Sequence, residues 1–158
     1  MSQRIDFMKA SPNAAKGFLS TSAFLTQCSV PITIIDLVYL RVSQINGCAY
    51  CIDMHSRDLR KHGMSVDKLM LVSAWREGGA LFDAREAAAL AWAEALAVLP
   101  PGGVADADFE AVSAVFDERE VVDLTVAVGL MSAFNRLGVG LRLTPAAVTA
   151  AAKEAAAA

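Results

Sequence analysis

Ile32-Thr33-Ile34-Ile35-Asp36-Leu37-Val38-Tyr39-Leu40-Arg41-Val42-Ser43-Gln44-Ile45-Asn46-Gly47-Cys48-Ala49-Tyr50-Cys51 is the stretch whose reading decides the fold. If its first part were a strand, the paired cysteines would follow a strand, as in a thioredoxin-like unit. If it is a helix, the pair sits inside a helical protein. Ile32, Ile34, Ile35, Val38 and Val42 carry strand propensity. The segment is nevertheless much longer than a typical strand of about five or six residues. Ile35, Val38, Val42 and Ile45 recur at helical spacing. The spacing therefore predicts a helix over 32–45. Asn46-Gly47 breaks it, and Cys48 falls in the first turn of the next helix.

Helix signals continue in both directions from this hairpin. Gly63, after Lys61 and His62, reads as a helix C-cap, and Ser65 starts another helix. Asp83 with Glu86 is a capping box opening a helix through about Val98, which Pro100-Pro101-Gly102-Gly103 closes. Asp117 with Glu120 opens a long segment that is apolar nearly all round, as expected of a helix buried in a core or an interface. Val121-Val122-Asp123-Leu124 echoes Ile34-Ile35-Asp36-Leu37, each heading an apolar helix. From about residue 147 the chain is alanine-rich and of low complexity, and is expected to fray. The expectation is an all-α protein with one domain over residues 1–158.

Composition narrows the function classes. The 158 residues are 55% hydrophobic and 20% charged, with a mean hydropathy of +0.42. No run approaches the roughly 18–20 uninterrupted apolar residues of a spanning helix. The N-terminus lacks a signal-peptide pattern. High apolar content without a membrane segment predicts burial between subunits, hence a homo-oligomer. Net charge is −3, with acids and bases interspersed. That argues against the basic face a nucleic-acid partner requires. Three cysteines without an export signal point to a reducing, cytoplasmic compartment and to a redox or metal role.

Cys48, Cys51 and His55 stand at i, i+3 and i+7, one face of a helix. A thiol reacts as its thiolate, and a helix N-terminus favours the anion. His55 can accept or relay the proton, and an acid against the imidazole would orient it. Asp36 is the best candidate for that acid if the two helices pack antiparallel. A closed structural zinc site needs four ligands. Only Cys28 and His62 remain beyond the triad, and His62 lies about 10 Å further along the helix at about 1.5 Å per residue. Covalent c-type haem needs histidine directly after the second cysteine, where Ile52 stands. Thiol redox chemistry without a metal or organic cofactor is the reading that survives.

The run from Leu40 to His55 resembles the core motif of the alkylhydroperoxidase AhpD-like family, within the carboxymuconolactone decarboxylase superfamily. Ala74-Trp75-Arg76-Glu77, Phe82 and Glu86 to Leu96 resemble that family's middle segment. Glu120 to Leu124 and Asn135-Arg136-Leu137 resemble its last long helix. The resemblance covers about Asp6 to Arg142. It implies a compact all-α domain of about six to eight helices, with a helical hairpin carrying the CxxC pair, assembled as a trimer or hexamer. It further implies a thiol-dependent peroxidase in which Cys51 attacks a small hydroperoxide and Cys48 resolves the sulfenic acid to a disulfide. An external dithiol or thiol protein would then restore both thiols. His55 would relay protons with a carboxylate. The family's glutamate is replaced here by Asp36, one methylene shorter, so direct contact with His55 is expected to be lost or replaced by a bridging water.

Three other activities remain as alternatives: a disulfide reductase or relay serving a partner protein, a cofactor-free decarboxylase like the superfamily's name-giver, and a zinc-stabilised scaffold. Among single residues, Tyr50 is a candidate pocket wall. Ser43, seven residues after Asp36, is a candidate to hold that carboxylate. Trp75 and Trp92 read as core anchors, Arg41 and Arg136 as ion-pair partners, and His62 as a solvated helix-end residue. Ser132 and Phe134, where an asparagine and a tryptophan are common in the family, read as packing or pocket variation.

Overall fold

A computed structural model describes residues 3–157. Its helices are α1 (Phe7–Ala10), α2 (Pro12–Leu25), α3 (Ile32–Ile45), α4 (Ala49–Lys61), α5 (Val66–Leu71), α6 (Ala84–Ala97), α7 (Asp106–Ser113), α8 (Glu118–Gly140) and α9 (Ala146–Ala157). Two 3-10 turns, Val72–Glu77 and Gly79–Leu81, join α5 to α6. The fold is all-α, as the spacing predicts. Nine α-helices among the described residues exceed the expected six to eight. The excess lies in short pieces such as α1, which is one turn long, and in the tail.

α3 occupies the predicted residues and is the centre of the structure. It packs against α4, α6 and α8, and its β-branched side chains serve tertiary burial rather than strand pairing. Ile35, Val38 and Val42 face a core shared with α6 and α8, through Ala93, Leu124 and Ala127. Leu37 and Leu40 face a second cluster with Leu59, Val72 and Leu90. Ile35, Val38 and Val42 are fully buried. Each such side chain contributes roughly 1.5–3 kcal/mol, which outweighs a helix-propensity deficit of at most about 0.7 kcal/mol per residue.

The predicted boundaries are present as geometry. Gly47 takes φ +67°, a left-handed conformation that glycine adopts at low cost. The Cys48 N–H donates to Ser43 O at 3.0 Å and closes the turn. Gly63 ends α4 with φ +89°. Both capping boxes form, Asp83 with Glu86 and Asp117 with Glu120.

Two expectations are corrected. The alanine-rich tail is helical as α9, and an Asp53 carboxylate oxygen accepts the Ala147 N–H at 3.2 Å near its start. Alanine's high helix propensity sustains the rest. Among the described residues, Arg136 makes no ion pair. It donates to Ser132 O at 2.7 Å, one turn back on its own helix. Arg41 does pair, with Glu94 at 2.6 Å.

α8 is long and apolar enough to cross a bilayer by length and composition. Here it packs against α2, α3, α4, α6 and α7 and carries buried Asp123 and Asn135. Those contacts give it the role of a core helix.

Candidate active site: two thiols between two cavities

The hairpin of α3 and α4 builds the site. Cys48 is the N-cap of α4 in extended conformation, and Cys51 lies in its first turn. Both are buried, at 1% and 2% exposure, and both are free thiols. The Cys51 thiol donates to the Cys48 sulfur, and this contact does most to lower the Cys48 thiol. Burial opposes it, the nearby Cys51 backbone N–H and the Asn135 amide assist, and the value settles at about 6. Cys51 is pushed up, because its proton is held in that same hydrogen bond and because it is buried. Within the pair, Cys48 is the more acidic thiol.

His55 and Asp36 meet directly. Asp36 Oδ1 lies 3.2 Å from His55 Nδ1, and both side chains are more than nine-tenths buried. Contrary to the expectation, the shorter carboxylate reaches the ring without a bridging water, because one short turn holds α3 against α4. The other carboxylate oxygen, Oδ2, stands 3.9 Å from Nε2 of His62, whose side chain is 43% exposed. His62 is the solvated helix-end residue expected, with this carboxylate beside it. The 10 Å rise along α4 separates the two histidines from each other, but Asp36 projects from α3 between them.

Ser43 does not hold Asp36. Its hydroxyl accepts from Asn135 Nδ2 at 3.0 Å and hydrogen-bonds Cys51. Seven residues are two helical turns, about 10 Å of axial rise, so a shared face did not mean contact.

Two cavities flank the thiols. One, of about 340 Å³, is lined by Cys51 and His55 together with Tyr39, Tyr50, Met54 and Phe134. The other, of about 350 Å³, is lined by Cys48, Tyr50, Gly138, Arg142 and Thr144. Tyr50 and Leu143 border both. Phe134 is a pocket wall as expected, and its ring packs 5.4 Å from that of Phe18.

Asn135, Gly138 and Tyr39 escaped the sequence reading. Asn135 is 1% exposed. Besides donating to Ser43, it accepts from Asn46 Nδ2 at 3.0 Å and so ties α8 to the hairpin turn. A Cβ on Gly138 would stand 2.7 Å from Cys48 Sγ. The available signal was a lone amide on a helix otherwise apolar all round, with a glycine three residues on. Among the described residues, no group of three or more His, Cys, Asp or Glu side chains converges on a metal position.

Comparison with known proteins identifies the family and the fold. Residues 14–95, which include the hairpin, match the carboxymuconolactone decarboxylase family. The uncharacterised protein YdfG of Bacillus subtilis (strain 168) is 33% identical over 141 residues, spanning 89% of this chain and 95% of that protein. The alkyl hydroperoxide reductase AhpD of Maricaulis maris (strain MCS10) is 50% identical over 34 residues, 22% of this chain and 20% of that protein. Among solved structures, a protein of unknown function from Agrobacterium tumefaciens, suggested to be the antioxidant defence protein AhpD, superposes with a TM-score of 0.86. It is 36% identical and covers 91% of this chain and 98% of its own. With this fold and these matches, the chain belongs to the carboxymuconolactone decarboxylase family and is AhpD-like.

Proposed function

We propose that the protein is a thiol-dependent peroxidase that reduces organic hydroperoxides with its own cysteine pair. The observation that carries this reading is the juxtaposition of two buried free thiols with the His55–Asp36 pair at the wall of an apolar cavity. Cys51 borders the cavity that His55 also lines, and Cys48 borders the other. Cys51 is therefore the attacking sulfur and Cys48 its partner.

The chemistry follows from the contacts. The proton of Cys51 crosses the shared hydrogen bond to the Cys48 thiolate, leaving Cys51 as the anion. Its sulfur attacks the terminal peroxide oxygen. The S–O bond forms while the O–O bond breaks, sulfur losing two electrons to the peroxide. His55 manages the proton that lets the alcohol leave. Cys48 then attacks the oxidised Cys51 sulfur, forming the disulfide, and the departing oxygen leaves as water. One proton is drawn from solvent over the sequence. An external dithiol reverses the disulfide and is itself oxidised.

A second reading, a disulfide relay for a partner thiol protein, is favoured by one observation: Cys48 has its own cavity and a low-pKa thiol suited to exchange. Consumption of cumene hydroperoxide with dithiothreitol as reductant separates the two. Cys51→Ser should abolish turnover, a loss of about 10³-fold or more, since the nucleophile is gone. Full turnover in that variant sinks the peroxidase assignment. Disulfide exchange without peroxide consumption in the wild type supports the relay.

A further inference from the structure

Among the described residues, two side-chain polar atoms are buried without a hydrogen-bond partner: the Tyr39 hydroxyl and His55 Nε2. They belong to one place. Both residues line the Cys51 cavity, both are more than nine-tenths buried, and their rings lie 4.9 Å apart at 52°. Buried polar groups are otherwise almost always satisfied. Both orphans belong to residues that line one apolar cavity beside a nucleophile.

Their characters are complementary. In the tautomer that directs Nδ1–H to Asp36, Nε2 is an acceptor. Burial, with the nearby Asp36 charge assisting, pushes the Tyr39 hydroxyl above its ordinary range, so it keeps its proton and can donate. A ligand that satisfies both must bear a donor and an acceptor close together. The hydroperoxide group does so on adjacent atoms, its terminal O–H donating and its alkoxy oxygen accepting. A carboxylate or ketone lacks the donor. Met54, Met131, Phe134 and Leu137 supply apolar wall for the remainder of such a molecule.

We propose that Tyr39 is a catalytic residue, its hydroxyl donating a hydrogen bond to the alkoxy oxygen of a bound organic hydroperoxide while His55 Nε2 accepts the terminal O–H. This rests on the peroxidase reading and gives that site its orienting contacts. As Cys51 attacks the terminal oxygen, the O–O bond breaks and negative charge develops on the alkoxy oxygen. His55 takes the terminal proton and returns it to that oxygen, so the products are Cys51 sulfenate and the neutral alcohol. Tyr39 stabilises the developing charge and remains protonated throughout.

The test is the single-turnover oxidation rate of reduced Tyr39→Phe, measured with two oxidants. With cumene hydroperoxide, whose alkoxide leaving group needs stabilisation, the rate should fall about 10²-fold, as when one donor to a developing oxyanion is removed. With peroxybenzoic acid, whose carboxylate leaves readily, it should fall less than about threefold. Equal losses with both oxidants overturn the assignment, because a merely structural tyrosine would slow both alike. So does no loss with either, which leaves the peroxidase reading standing. A wild-type protein inert to both oxidants overturns the peroxidase reading, and this inference with it.

Discussion

Cys48 and Cys51 are three residues apart, yet they occupy opposite electrostatic settings. Cys48 is the N-cap of α4, carries the more acidic thiol, and borders a cavity that Arg142 and Thr144 also line. Cys51 sits one turn in, retains its proton, and borders the cavity shared with His55, Tyr39 and Phe134. The helix start makes this difference. The N-cap sulfur stands at the positive end of the helix, where an anion is favoured, whereas Cys51 lies three residues further in. One local turn thus gives the more acidic thiol at one position and, at the other, access to the apolar side. The charge reaches the reacting side only through the hydrogen bond between them.

The largest test of this division is Asp36→Asn. Asp36 orients His55 on the Cys51 side and touches neither thiol through a hydrogen bond. Oxidation of Cys51 by hydroperoxide should slow about 10²-fold, the lower range of a general acid–base contribution. The Cys48 thiolate should still titrate at about 6. A shift of that titration in the variant would mean that the two sides are not separable.

Next is the charge itself. Because Cys48 is lowered, its thiolate is present above about pH 6 and disappears as the pH falls through that value. Removing the donor in Cys51→Ala should move the midpoint up toward the ordinary cysteine value of about 8.5. At neutral pH the thiolate population would fall by up to roughly thirtyfold, from the same difference. Thiolate absorbance or the pH profile of iodoacetamide alkylation reads it. A midpoint still near 6 would assign the low value to the helix end and not to the partner thiol.

The sequence made the hairpin legible because its signals are local. The 3.6-residue period over Ile35 to Ile45, the Asn46-Gly47 break and the i, i+3, i+7 spacing of Cys48, Cys51 and His55 need no distant partner. Asp36 was reachable because one short turn forces α3 and α4 together. Asn135, Gly138 and His62 were not, for two physical reasons. Asn135 and Gly138 meet the thiols only after α8 packs across the hairpin, about 90 residues on. His62 approaches Asp36 because a helix end lets a side chain turn back, which axial spacing does not express. The roles of the thiols divide similarly. The spacing places both on one helix start, but which one carries the charge depends on an N-cap conformation and a shared proton.

Gly138→Ala probes the same contrast with the smallest expected effect. In a helix interior, alanine normally stabilises by about 1 kcal/mol relative to glycine. At this position the added Cβ would meet Cys48 Sγ at 2.7 Å and Cys51 Sγ at 3.6 Å. Only the first contact is too close, so the Cys48 side must give way while the Cys51 side need not. Overpacking of a tight core costs about 1–3 kcal/mol. The net expectation is a loss of about 1 kcal/mol, measured by urea unfolding, against the sign that propensity alone predicts. The displaced Cys48 sulfur should also lose part of its contact with the Cys51 thiol, raising its titration midpoint. A variant that is more stable and still titrates near 6 would show that α8 does not hold the thiol pair in place, leaving the turn at Asn46-Gly47 as the only element that separates the two settings.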